Sequence, residues 1–201
     1  MKKIIRTAFL LSLFVFSGNV FAQSKSSGKQ APPPTVAVVN LKQYAGKWYE
    51  IARYPNKFQK KCVGNTTATY TLKPDGNIGV FNQCLIKNGT LDGATGEAKI
   101  VEGSSNAKLE VRFAPKFTSF LSAVWGDYWI VDLDNEYKYA AVGDPKREYL
   151  WILSRTPEMT DATYQNILRR VEKLGFNPAK LQKTPQNAEA IKGAVVRKQQ
   201  K

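Results

Sequence analysis

The 201-residue chain predicts an all-β fold, an eight-stranded up-and-down antiparallel β-barrel with one α-helix flanking its C-terminal end. Three observations predict it. Eight short segments dense in β-branched and aromatic residues follow one another, turn signals separate them at roughly even spacing, and one amphipathic stripe comes after the last. Hairpin-length connections make sequential strands neighbours, and closing the sheet on itself removes its exposed edges.

The N-terminus is set aside first. Lys2, Lys3 and Arg6 form a basic start, Ala8 to Phe16 an apolar run too short to span a bilayer, and Val20-Phe21-Ala22 a small-residue cleavage pattern, so residues 1–22 read as a cleaved secretory signal. Residues 23–35, rich in Ser, Lys, Gln and Pro, read as a flexible leader. The barrel domain then occupies residues 36–183. Its strands are expected at Trp48 to Tyr54, Thr66 to Leu72, Asn77 to Ile86, Thr95 to Val101, Lys108 to Phe113, Tyr128 to Leu133, Tyr137 to Val142 and Tyr149 to Arg155. Pro74-Asp75-Gly76, Lys87-Asn88-Gly89, Gly103-Ser104-Ser105-Asn106, Asp134-Asn135 and Gly143-Asp144-Pro145 supply turns between them. Thr160 and Asp161 cap a helix over about 160–174, and Gly175 ends it. Tyr164, Ile167, Leu168, Val171 and Leu174 share one face of that helix, which must lie on the barrel wall. Residues 184–201 read as a basic flexible tail carrying Arg197, Lys198 and Lys201.

Thirty Lys and Arg stand against sixteen Asp and Glu, a net charge of +14, which suits nucleic acid, an anionic membrane surface or anionic ligands. Histidine is absent and only Cys62 and Cys84 are soft ligands, so no protein-built zinc, copper or haem site and no cofactor is expected. In an exported protein the two cysteines are most simply a disulfide, and folding a hairpin about Asp75-Gly76 brings them almost opposite. A free Cys62 beside Lys60 and Lys61 would instead have a lowered pKa and serve a thiol-dependent enzyme. A basic nucleic-acid-binding barrel is the other alternative; it lacks a motif, and an exported chain rarely meets nucleic acid.

Gly46-x-Trp48 on the first strand, Arg155 closing the last and the trailing helix resemble the lipocalins. Gly46-Lys-Trp-Tyr-Glu-Ile-Ala-Arg53 and Tyr149-Leu-Trp-Ile-Leu-Ser-Arg-Thr-Pro157 look closer still, to the bacterial lipocalin and apolipoprotein D branch, over roughly Val36 to Lys183. The resemblance implies a cup for lipid and related hydrophobic ligands, with Gly46, Trp48 and Arg155 as structural residues and the Trp48 ring closing the floor under the Arg155 guanidinium. Two features depart from the family pattern. Its Thr-Asp-Tyr between strands six and seven reads Leu133-Asp134-Asn135, and the signal-peptide cysteine that anchors bacterial relatives to the outer membrane is absent, so anchoring does not carry over.

With Trp48 at the floor, strand one climbs to the mouth and every later strand reverses. The loops Pro55 to Lys61, Lys87 to Thr90, Ala114 to Val124 and Asp144 to Glu148 therefore rim the mouth. They carry Lys57, Lys60, Lys61, Lys87, Lys116, Lys146 and Arg147, with Phe58, Phe117, Phe120 and Leu121 between them. This pattern suits an anionic bilayer surface, or a loop folded inward as a partial lid. Period-two alternation turns Trp48, Glu50, Ala52 and Tyr54 inward, together with Ala68, Tyr70, Val80, Asn82, Phe113, Tyr128, Ile130, Tyr149 and Trp151. The expected ligand contacts are Tyr54, Ala68, Tyr70, Val80, Asn82, Phe113, Trp125, Tyr128 and Trp151, the two tryptophans foremost on the family resemblance. Glu50 reads as structural, since no second carboxylate, histidine or nucleophile falls beside it. The expected function is non-enzymatic: a periplasmic or secreted carrier sequestering fatty acids, lysophospholipids or similar amphiphiles, with envelope lipid maintenance as a candidate role.

Overall fold

The computed structural model describes residues 30–114 and 121–186. The expected signal, the leader up to residue 29, Lys116, Phe117, Phe120 and the tail from residue 187 lie outside them. Packing begins slightly ahead of the expected domain start: Pro33 is buried, and the Val36 amide donates to the Ile130 carbonyl at 3.0 Å.

A four-residue helix, α1 (Leu41–Tyr44), precedes the strands β1 (Gly46–Arg53), β2 (Cys62–Leu72), β3 (Ile78–Ile86), β4 (Leu91–Ile100), β5 (Lys108–Arg112), β6 (Gly126–Leu133), β7 (Tyr139–Gly143) and β8 (Leu150–Ser154). Each strand pairs antiparallel with the next, β8 pairs with β1, and β1 pairs with β2 to close the barrel. The helix α2 (Asp161–Lys173) and a two-residue strand β9 (Gln182–Lys183) follow. Strands β2 and β4 each start four residues before the expected position, because Gly64 and Gly93 continue the ladder. Gly64 lies against the Pro185 carbonyl and Gly93 against the Phe81 ring, where a side chain would not fit.

Two apolar clusters sit on opposite faces of the same sheet. Inside the barrel are Trp48, Tyr70, Ile78, Val80, Ala98, Leu109, Ile130, Ala140, Val142 and Leu153, with Val39 and Tyr44 from the N-terminal segment. Outside, α2 lays Tyr164, Ile167 and Val171 on Ile51, Ala52, Val131, Ala141, Leu150 and Ile152. Thr160 caps α2 by accepting from the Thr163 amide at 3.2 Å. At its other end Gly175, at φ +85°, donates to Glu172 and the Phe176 amide reaches back to Val171, the left-handed cap that only glycine adopts without strain. The turn delivers the Phe176 ring onto Gly143, where a Cβ would meet it at 2.5 Å.

The floor is closed by Trp48 and Arg155. The Arg155 guanidinium lies 3.8 Å from the Trp48 ring centroid, while the indole N–H donates to the Tyr44 carbonyl at 2.8 Å. Arg155 also donates to the carbonyls of Lys47 (3.0 Å), Tyr137 (3.3 Å) and Gln43, so one side chain joins β1, the β6–β7 turn and α1. Gly46, at φ +93°, brings the chain into β1 beneath that guanidinium. Near the mouth, Cys62 and Cys84 form a disulfide between β2 and β3, with Cα atoms 5.6 Å apart. Both cysteines of the chain are thereby paired, and the thiol nucleophile that the enzymatic alternative required is consumed.

Two measurements follow. Arg155→Ala should destabilise the fold by about 2–4 kcal/mol in denaturant titration, from the lost cation–π contact and the charge-assisted bonds. Arg155→Lys should recover less than half of that loss, because an ammonium cannot span three carbonyls; full recovery would reduce the clamp to simple charge. For the disulfide, thiol titration of oxidised protein should find no free cysteine. Reduction of this 22-residue separation should cost about 3 kcal/mol by the chain-entropy account.

Candidate ligand-binding site

The lower bore is filled. Trp48, Tyr70, Ile78, Leu109, Ile130, Ala140 and Leu153 are buried there, and three tyrosines meet hydroxyl to hydroxyl above the floor. The Tyr128 hydroxyl lies 2.7 Å from that of Tyr44 and 2.9 Å from that of Tyr70. Burial pushes the Tyr44 and Tyr128 phenols well above their ordinary range and Tyr70 up to about 12, so the cluster stays protonated and uncharged.

Higher up, side chains shrink. The register sets Ala68 opposite Asn82 and Asn82 opposite Ala94, while Val80 faces Gly96. Phe113 lies across Gly96, where a Cβ would come within 2.8 Å of its ring. Trp151 enters from β8, opposite Val142, and stacks on Tyr149 with ring centroids 5.7 Å apart and planes 8° from parallel. Tyr149 in turn meets the rim residue Phe58 at 5.8 Å. Asn82 Oδ1 is buried without a hydrogen-bond partner among the described residues, an acceptor left open in an otherwise apolar band. The inner face thus brings together Ala68, Tyr70, Val80, Asn82, Phe113, Tyr128 and Trp151.

Two of the expected contacts lie elsewhere. A bulge between Glu50 and Ala52 inverts the end of β1: Ala52 pairs with Ile152 on the helix-facing side, and Tyr54 follows it there, exchanging hydrogen bonds with Asn177. Alternation without the bulge placed both inward. Trp125 is on the outer wall as well; Lys99 and Arg112 approach its ring at 4.5 and 5.1 Å, from the face opposite to Ala98 and Val111.

The same bulge turns Arg53 into the bore, paired across the ladder with Trp151. Its Nη1 donates to Glu50 Oε1 at 2.7 Å and to Thr184 Oγ1 at 3.0 Å. Glu50, expected near the floor as a structural carboxylate, instead anchors the upper bore. It accepts from Gln59 Nε2 at 2.6 Å and from the Thr184 hydroxyl at 2.5 Å, and Gln59 Oε1 receives the Trp151 indole N–H at 2.9 Å. Every oxygen of this buried carboxylate therefore meets a donor. Sequence reasoning missed Arg53 and Gln59; the one local signal was the adjacent apolar pair Ile51-Ala52, which strict alternation does not accommodate.

Thr184 also moves the expected domain boundary. Above Tyr49, β1 and β2 separate, and the segment after β9 fills the gap: Thr184 donates to the Ile51 carbonyl, the Pro185 carbonyl accepts from Asn65, and the Gln186 amide bridges the Glu50 and Thr66 carbonyls at 2.9 and 2.6 Å. Residues 184–186 belong to the barrel rather than to a tail.

Around the mouth, Phe58 (63% exposed), Leu91 (55%), Phe113 (46%) and Leu121 (44%) stand in solvent among exposed Lys57, Lys60, Lys61, Lys87 and Lys146. The cationic rim is smaller than expected. Arg147 turns away to donate to the Leu174 carbonyl at the end of α2, and Lys61 pairs with Asp92 at 2.7 Å.

A family model described as a lipocalin-like domain matches residues 39–186. Temperature-induced lipocalin-1 of Arabidopsis thaliana is 43% identical over 152 residues, covering 74% of this chain and 80% of its own. Outer membrane lipoprotein Blc of Citrobacter freundii is 40% identical over 154 residues, 75% of this chain and 82% of its own. Apolipoprotein D of Mus musculus is 32% identical over 186 residues, 89% and 93%. Among solved structures, insecticyanin of the tobacco hornworm Manduca sexta superposes with a TM-score of 0.63 at 18% identity, covering 81% of this chain and 87% of that one, a likeness of fold.

Proposed function

The chain belongs to the lipocalin family, and from that premise we propose that it is a non-catalytic carrier of fatty acids, lysophospholipids or similar single-chain amphiphiles, working in the envelope or outside the cell. The observation that carries this reading is the change of side-chain size along the bore. Below the tyrosine cluster the interior is packed shut; above it, the β2–β4 wall carries the small side chains of Ala68 and Ala94 on either side of Asn82, with the Phe113 ring lying over Gly96. Such a space receives an acyl chain by partition, each buried CH₂ contributing about 0.8 kcal/mol. Ordering and immobilisation offset part of that gain, which leaves micromolar or better affinity for long chains.

The paired cysteines support sequestration rather than turnover, since the one sequence-based route to catalysis ran through a free Cys62 thiol. The exposed apolar side chains and lysines of the mouth support a second element of the same function: the cup meets an anionic bilayer mouth first, with its opening where an acyl chain leaves the membrane. Glu110 and Asp144 lie near Asp127 on this side, and burial together with their charge raises the Asp127 carboxyl above its ordinary value. Its negative charge is therefore lost earlier on acidification, and the mouth grows more positive.

Long-chain fatty acids or lysophospholipids should quench or shift the tryptophan emission through Trp151, with little contribution from Trp125. Trp151→Ala should weaken binding by about 1–3 kcal/mol. Unchanged affinity in a folded Trp151→Ala protein would remove this lining. In vesicle co-sedimentation, binding should rise with anionic lipid content, fade as salt is added, strengthen as pH falls toward the carboxylate range, and fall when Lys57, Lys60 and Lys61 are changed to Glu. Equal binding to neutral and anionic vesicles would assign those lysines to solubility alone.

A further inference from the structure

We infer that Arg53 is the residue that selects the head group, taking the carboxylate or phosphate of an amphiphile on the free edge of its guanidinium. The inference rests on the carrier reading and deepens it. A guanidinium carries five N–H donors in a rigid planar fork. In Arg53 the two on Nη1 are engaged, by Glu50 Oε1 at 2.7 Å and Thr184 Oγ1 at 3.0 Å. The Nε–Nη2 edge meets no partner among the described residues, and its two parallel donors match the spacing of a carboxylate or a phosphate.

Position and rigidity agree with that role. Arg53 is inward only because of the β1 bulge, and its side chain is 14% exposed beside Trp151, in the upper bore rather than out on the rim. Its orientation is set from three directions. Glu50 comes from its own strand, Thr184 from the C-terminal segment, and Gln59 from the first mouth loop holds both Glu50 and the Trp151 indole. Gln59 is itself fixed by Asn56, whose side chain accepts from the Gln59 amide at 3.0 Å and donates to its Oε1 at 2.8 Å. A head group held at this edge directs the chain below it along Trp151 toward Ala68, Asn82 and Ala94. Glu50 offsets the arginine's full charge, so the preference comes from two directional contacts at short range. Free anions lacking a chain to bury gain little from it.

The test compares dodecanoate, dodecyl phosphate and methyl dodecanoate, each as monomer, by tryptophan quenching of the wild-type protein. Both anions are expected to bind about tenfold tighter than the uncharged ester, the value of a charge-assisted contact. Arg53→Met should erase that advantage, so that anions and ester bind it alike, and Arg53→Lys should keep only part of it, since a point charge lacks the fork. Millimolar acetate or inorganic phosphate should displace none of the three. Ester and anions binding equally to the wild type overturns the anchor and leaves the carrier intact, and this comparison needs no variant, should Arg53→Met leave Glu50 unpaired and the fold damaged. Binding of none of the three overturns both. Displacement by acetate or inorganic phosphate alone makes the edge a free-anion site and overturns its assignment to lipid.

Discussion

The Arg155 guanidinium over the Trp48 ring is the contact on which the rest of this barrel depends. An up-and-down barrel has one seam, where first and last strands meet, and one end that must be shut if the bore is to be a cup. Arg155 serves both. Its backbone continues β8, its head lies on Trp48 near the start of β1, and its donors reach the carbonyls of Lys47, Gln43 and Tyr137. A planar cation is suited to this place because it stacks on an aromatic face while donating in its own plane. The Trp48 N–H then turns to Tyr44, which draws α1 across the floor.

From that closed end the interior grades from packed to open. The tyrosine cluster marks the change, with Tyr128 holding the hydroxyls of Tyr44 and Tyr70 and meeting the polar needs of three large side chains inside an apolar bore. Above it, polar groups are gathered around Glu50, whose carboxylate is tied to Arg53, Gln59 and Thr184. The β2–β4 wall carries Ala68, Asn82, Ala94 and Gly96.

The junction of β1 with β2 is closed differently at its upper and lower ends. β1 and β2 pair directly only between Gly46 and Tyr49; beyond that the C-terminal segment lies between them, with the Gln186 amide joining carbonyls of both strands. Thr184 connects this seam to the buried Glu50–Arg53 pair. The wall of the upper bore thus depends on residues far away in sequence, as do the positions of Glu50 and Arg53.

The amino-acid sequence by itself determined the eight strands, the helix and its buried stripe, the floor pair and the cysteine bridge. The strands and the helix rest on local periodicity and turn residues, the cysteine bridge on a hairpin that brings two positions together, and the floor pair on the likeness of its motifs to the lipocalins. Seven of the nine expected lining residues face inward by strand alternation. What only the tertiary structure decided are the places where one residue breaks the alternation or where distant chain meets the barrel. The bulge in β1 sends Tyr54 out and Arg53 in, because Ile51 and Ala52 both find apolar partners under α2. Trp125 goes outward to the cations on β4 and β5. Four-residue α1 is too short to show a period, and β9 has no strand signal of its own; each is defined by what it packs against. Local pattern specifies which face a residue prefers within an ideal strand, whereas a bulge is specified by the fit of the whole wall against its helix.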